Sequence, residues 1–143
     1  MTDATRDAVA GRVVTSFGSI SPRSVEKLVG PARAMHLTVP RGLTPVQVSL
    51  SVNNLQRHSV VFHRGAFRMV DANGAYPVGW ASRIRLLHSL STRTILLRFS
   101  IPPAARLPRL EYRDAATGAT TLIELGSSLH LEKFNPATHK HGG

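Results

Sequence analysis

Histidine and methionine residues at two places in this 143-residue sequence have the types and spacing needed to bind a metal ion. His139 and His141 are two residues apart and would lie on the same side of an extended chain, while Met35 and His36 are adjacent. Copper accepts imidazole and thioether ligands, and nickel accepts imidazole. These four residues are therefore a candidate copper or nickel site. The alternative is that the pair of histidines near the C-terminus is ordinary solvated polar sequence.

Arginine supplies most of the positive charge of the chain. Eighteen Lys and Arg against eight Asp and Glu give a formal net charge of +10. The arginines are spread singly, often on alternate positions, which is typical of the solvated faces of strands. Guanidinium groups also pair well with carboxylates and phosphates, so an acidic protein, a nucleic acid or an acidic membrane surface is a possible partner. The partner-binding residues that the sequence favours are Arg64, Arg68, Trp80, Arg83 and Arg85.

The acidic residues do not form a recognisable catalytic set. The sequence contains no G-x-S-x-G nucleophile elbow, no Gly-rich phosphate loop and no H-E-x-x-H helix. Because there is no cysteine, thiol catalysis, thiolate metal sites and disulfides are excluded. We therefore expect no enzymatic activity and no cofactor, with copper as the alternative.

Aromatic residues bear on the nucleic-acid alternative, because base stacking requires exposed rings. Phe62, Phe67, Phe99 and Tyr112 occupy apolar positions of predicted strands and are expected in the core. Trp80 follows a Pro and a Gly, and this loop setting would leave its ring open to a partner. More often, a tryptophan in such a place covers the end of a sandwich core.

Strands must position these side chains, and alternation of apolar and polar residues predicts where the strands lie. It is clearest where Val46, Val48, Leu50 and Val52 share one face. In a second clear segment, residues 92–100, the apolar positions point inward and Arg98 points outward or flanks them. Further strands are predicted at residues 58–63, 67–70, 109–114 and 120–125, with a weaker one at 83–87 and a short extended piece at 76–78.

Turn residues and prolines separate these segments. Asp71-Ala72-Asn73-Gly74 predicts a tight reversal, and Pro77 confines its strand to an edge or a strand end. Residues 12–17 and 23–29 flank Ser21-Pro22 and predict one kinked edge strand. Seven or eight short strands without a sustained helical period predict an all-β, immunoglobulin-like antiparallel sandwich.

Four segments carry a resemblance to a known family: VQVSLSVNN at 46–54, FRMVDANG at 67–74, LRFSIP at 97–102 and LEYRD at 110–114. They resemble a family of bacterial, often actinobacterial, exported domains of unknown function. These share the immunoglobulin-like sandwich of a secreted mycobacterial immunoprotective antigen. The resemblance covers a little over half the chain and implies this fold and an extracytoplasmic location. The N-terminal residues have no apolar run typical of a signal peptide, which favours a cytoplasmic location unless a leader or anchor has been removed.

The sequence thus predicts a flexible N-terminus at residues 1–10, one sandwich domain at 11–129 and a flexible, His-containing tail at 130–143. The function we expect is that of a non-catalytic binding or accessory module, a partner-binding subunit at the bacterial cell envelope. Copper or nickel binding is the first alternative, and nucleic-acid binding through the basic surface is the second. The oligomeric state stays open.

Overall fold

The computed structural model describes residues 12–28, 38–103, 109–125 and 131–134. Its strands, in chain order, are β1 (Val13–Val14), β2 (Gly18–Leu28), β3 (Thr44–Asn54), β4 (Val60–Val61), β5 (Phe67–Asp71), β6 (Gly74–Pro77), β7 (Trp80–Ala81), β8 (Leu86–Leu87), β9 (Ser91–Ile101), β10 (Arg109–Arg113), β11 (Thr120–Ile123) and β12 (Leu131–Phe134). A single turn of 3-10 helix, Arg64–Ala66, precedes β5. Within these ranges no helix is long and apolar enough to cross a membrane.

The described residues form two sheets and a short ribbon. The first sheet has the order β1-β2-β3-β9-β7, with β12 also paired to β2, and the second has the order β11-β10-β5-β6. Strands β4 and β8 form a separate two-stranded ribbon. All pairings are antiparallel except that of β12 with β2. The predicted β-sandwich is therefore confirmed.

The core lies between the inner faces of the two sheets. Val46, Val48, Leu50 and Val52 of β3 are fully buried, as their alternation predicts. They pack with Ile95, Leu97 and Phe99 of β9 and, across the sandwich, with Phe67 and Met69 of β5, Leu110 and Tyr112 of β10, and Ile123. Phe67 lies against Tyr112 with a distance of 5.1 Å between ring centroids. The stability of the fold comes mainly from this one apolar interior.

Strand β2 corrects two expectations about the first part of the chain. The predicted kink is a register irregularity between Pro22 and Ser24, but the strand continues through it from Gly18 to Leu28. It is not an edge strand, because it pairs with β3 on one side and with β1 and β12 on the other. A bulge lets the strand accept a proline while pairing continues on either side.

Strand β12 falls within the segment predicted as a flexible tail. Its residues pair with β2 in parallel, Leu131 opposite Val25 and Phe134 opposite Leu28. The predicted N-terminal segment 1–10 and the rest of the predicted tail lie outside the described residues.

Candidate binding groove

An open groove is formed where residues 62–65 face residues 81–85, and we call it the arginine groove. Its volume is about 540 Å³. Three predicted partner-binding residues, Arg64, Arg83 and Arg85, line it together with His63. All four of these side chains are exposed, and the lining contains no Asp or Glu. The charged side chains among the described lining residues are therefore all arginines, which makes the site suited to an anionic group.

One wall of the groove is the segment that follows β4. The N–H of Phe62 donates a hydrogen bond of 2.8 Å to the carbonyl oxygen of Arg85, which joins this wall to the strand approaching β8. Gly65 then lies in the 3-10 turn, where the N–H of Ala66 donates to the carbonyl of His63. This turn holds Arg64 at the surface.

The opposite wall is the loop between β7 and β8, which is fixed to β9. The Ser82 N–H donates to the Leu96 carbonyl at 2.9 Å, and the Leu96 N–H donates to Ser82 Oγ at the same distance. Ile84 packs against the core between Arg83 and Arg85. The N–H of Ile84 donates to the carbonyl of Ser82 at 2.9 Å, which makes a tight turn around Arg83, and both Arg83 and Arg85 are exposed.

The side chain of Asn54 connects this region to β3. It is fully buried, and its amide group donates to the carbonyl oxygens of His58, Leu87 and His88 at 3.0 to 3.1 Å. Its Oδ1 accepts the N–H of Gln56 at 2.9 Å. In sequence, Asn53-Asn54 after the apolar alternation of β3 indicates a turn, because Asn tolerates positive φ. The structure shows instead that Asn54 is a buried residue that holds the start of β4 and the end of β8 in place.

Arg68, the fourth predicted partner-binding arginine, has a different environment. It lines a neighbouring depression of about 420 Å³ that shares Arg64 and Gly65 with the arginine groove. Its guanidinium forms an ion pair with Glu111, and this hydrogen bond and charge raise the pKa of Arg68. The depression therefore contains a carboxylate that competes with any incoming anion. Among the described residues that line the arginine groove there is no such competitor.

Trp80, the fifth predicted residue, is engaged within the protein. It is half-buried in β7 and packs with Leu28 and Val39 on the outer side of the first sheet. The guanidinium carbon of Arg98 lies 4.2 Å from the centroid of the Trp80 ring, a cation–π contact. The ring is thus already covered in part by a neighbouring side chain.

Arg98 lies on the outer face of β9, as predicted, but its side chain is not solvated. It is 7% exposed, and its Nε donates to Oε1 of buried Gln47 at 2.9 Å. Burial lowers the pKa of this guanidinium from its ordinary value. Alternation correctly places Arg98 on the outer face of β9, but it carries no information on what covers that face.

The candidate metal ligands Met35, His36, His139 and His141 lie outside the described residues. Within the described part of the chain, no group of three or more His, Cys, Asp or Glu residues could hold a metal ion. The copper or nickel site thus stays a prediction from sequence.

Solved structures with a similar fold come from several bacteria. A functionally unknown protein from Listeria monocytogenes matches with a TM-score of 0.57 and 9% identity, over 79% of each chain. A putative lipoprotein (ycdA) from Bacillus subtilis matches with a TM-score of 0.61 and 10% identity, over 83% of this chain and 40% of its own. The secreted protein MPT63 from Mycobacterium tuberculosis matches with a TM-score of 0.53 and 15% identity, over 87% and 88%.

These similar structures show that the chain has a β-sandwich fold. At identities of 9 to 15% they show a shared β-sandwich and no shared function. The predicted similarity to the fold of a secreted mycobacterial antigen is confirmed at this level. No protein-family model and no curated protein matches the chain.

Proposed function

We propose that this chain is a non-catalytic binding module that docks an acidic segment of a partner protein in the arginine groove. The observation that carries the proposal is that Arg64 and two arginines from a different segment, Arg83 and Arg85, converge on one groove. The described lining of this groove contains no carboxylate. Within the described residues none of the three has an ion pair or a side-chain hydrogen bond. Their charges are therefore available to a carboxylate-bearing ligand.

Nucleic acid is the weaker alternative for the same surface. Binding of single strands relies on exposed aromatic rings. Phe67, Phe99 and Tyr112 are buried, Phe62 is half-buried and packs on Phe67 with 5.8 Å between centroids, and Trp80 contacts Arg98. An acidic peptide needs charge but no stacking platform, so it suits the groove better.

A location outside the cytoplasm is part of this proposal. It comes from the family resemblance of the sequence. It is compatible with the description of two proteins of similar fold as a secreted protein and a putative lipoprotein. The docking proposal does not depend on it.

The test compares a groove variant with a charge-matched control. The groove variant is Arg64→Gln/Arg83→Gln/Arg85→Gln, and the control is Arg12→Gln/Arg23→Gln/Arg93→Gln, which also removes three exposed arginines. Binding of a fluorescent Glu-rich peptide is measured by anisotropy at low salt, with a single-stranded oligonucleotide as second probe. At about 0.5 to 1 kcal/mol per exposed charge pair, the groove variant should bind the peptide roughly tenfold or more weakly.

The control should lose less than about threefold, since distant charges are screened. Equal losses in the two variants would show that net charge, and not the groove, attracts the peptide. Tighter binding of the oligonucleotide than of the peptide, lost in the groove variant, would assign the surface to nucleic acid.

A further inference from the structure

An apolar pocket adjoins the arginine groove and differs from it in character. Its volume is about 280 Å³, and its lining includes Phe17, Val60, Phe62 and Tyr112. A cavity of about 150 Å³ accommodates a benzene ring, and small-molecule sites run from about 300 Å³ upward. The pocket therefore has room for one large side chain rather than for a whole cofactor-sized ligand.

The pocket and the arginine groove are continuous. Phe62 and His63 line both of them. Beside them the ribbon exposes two directly paired apolar residues, Val61 at 58% and Leu86 at 47%. Exposed apolar residues that adjoin a built pocket are characteristic of interaction surfaces rather than of ordinary solvated surface.

The charged residues differ between the apolar pocket and the arginine groove, so the two sites together would orient a bound ligand. Asp114 lies in the lining of the apolar pocket, where its carboxylate accepts hydrogen bonds from Ser16 and Ala116. Arg113 also lines this pocket, so its polar rim carries one charge of each sign, whereas the charged residues in the described lining of the arginine groove are all arginines. A ligand with a negative end and an apolar end is thus oriented, with its carboxylates in the groove and its apolar group in the pocket.

We propose that the partner segment is an acidic peptide in which one aromatic or large aliphatic side chain adjoins the acidic run and fills the apolar pocket. The inference rests on the proposed function, because the arginine groove supplies the charge that brings the peptide to this place. The pocket supplies selectivity, since a buried hydrophobic anchor discriminates between peptides of equal charge.

The experiment uses two acidic peptides of equal charge that differ in one residue, Phe or Ala, beside the acidic run. Burial of a Phe side chain predicts that the wild-type chain binds the Phe peptide roughly tenfold more tightly. Ala116→Leu places a larger side chain at the exposed rim of the pocket and should bring this ratio close to one. Ala75→Leu, at an exposed position of β6, is the matched control and should leave the ratio unchanged.

The groove variant Arg64→Gln/Arg83→Gln/Arg85→Gln separates the two proposals. It should weaken both peptides while keeping the preference for Phe. Equal affinity of the Phe and Ala peptides for the wild-type chain, with both weakened in the groove variant, would overturn the pocket anchor and leave the docking function intact. If the groove variant binds both peptides as tightly as the wild-type chain does, the docking function itself would be overturned. A third outcome is that the wild-type chain binds phosphatidylglycerol vesicles, that Ala116→Leu abolishes this binding, and that the wild-type chain does not prefer the Phe peptide. This outcome would assign the pocket to a lipid.

Discussion

Asp114 shows how a single carboxylate can hold distant parts of a sandwich together. Its Oδ2 accepts the N–H of Ser16 at 2.7 Å, and its Oδ1 accepts the Ser16 hydroxyl at 2.8 Å and the N–H of Ala116 at 2.9 Å. These bonds join the segment between β1 and β2 to the turn between β10 and β11. Burial acts to raise the pKa of Asp114, but the hydrogen bonds from Ser16, Ala116 and Thr117 outweigh it and hold the pKa below its ordinary value.

The first prediction concerns the pH dependence that follows from this lowered pKa. The native state favours the ionised carboxylate, so the stabilisation is fully present above the unfolded pKa of about 3.9 and is lost as pH falls through the lower folded value. Asp114→Asn replaces one acceptor by a donor that faces the Ser16 N–H or its hydroxyl. We expect it to lower the free energy of unfolding by about 2 to 3 kcal/mol at neutral pH, measured with urea.

The same substitution should flatten the decline in stability below about pH 4, because the variant has no carboxylate to protonate. Glu124→Gln is the control, since the ion pair of Glu124 with Arg109 is exposed and its oxygen lies 3.4 Å from the arginine nitrogen. A variant Asp114→Asn as stable as Glu124→Gln would contradict the structural role given to Asp114.

At the scale of elements, the ribbon of β4 and β8 depends on a residue outside it. The amide of Asn54, at the end of β3, donates to the carbonyl oxygens of His58 before β4, of Leu87 in β8 and of His88 after it. Each strand has two residues and contributes few hydrogen bonds of its own. The ribbon is therefore held by Asn54 and by burial of Leu87. Phe62 and His63, which follow its first strand, line both the apolar pocket and the arginine groove.

The second prediction tests this anchor with the substitution Asn54→Asp. A buried carboxylate oxygen would face three carbonyl oxygens in place of the amide donor, so we expect a loss of about 3 to 5 kcal/mol in unfolding free energy. Hydrogen exchange of the Phe62 N–H, which bonds to Arg85, should also accelerate. Asn53→Asp is the matched control, because Asn53 Oδ1 accepts a bond from the Thr92 hydroxyl that a carboxylate keeps. Equal stability of the two variants would remove Asn54 from this role.

The long strands could be predicted from sequence, whereas the candidate site could not. Strands β3 and β9 bury every second residue on one face, so their period of two is visible without knowledge of their partners. The arginine groove lies beside two short pairings, β4 with β8 and β7 with β9, each of which joins only two residues of one strand to two of the other. Alternation also could not show that Gln47 and Trp80 cover Arg98. The face on which a residue lies follows from the local sequence, whereas the side chains that pack over that face depend on the whole fold.

At the scale of the whole molecule, positive charges outnumber negative charges by ten. The described part of the chain contains the exposed ion pairs of Arg68 with Glu111 and of Arg109 with Glu124. With a net charge of +10, cations repel one another across the folded molecule more than they do in the expanded unfolded chain. Under the docking proposal, an anionic partner would relieve this repulsion where it binds, in the arginine groove.

The third prediction is that salt stabilises this protein. Raising NaCl from about 20 to about 300 mM shortens the Debye length from roughly 20 Å to below 8 Å and screens the repulsion. A gain of about 1 kcal/mol would raise Tm by roughly 3 °C for a chain of this size. The control variant Arg12→Gln/Arg23→Gln/Arg93→Gln lowers the net charge from +10 to +7, so its Tm should respond less steeply to salt. A Tm that falls with salt would mean that attractive pairs outweigh the repulsion, against the distribution of charge in the structure.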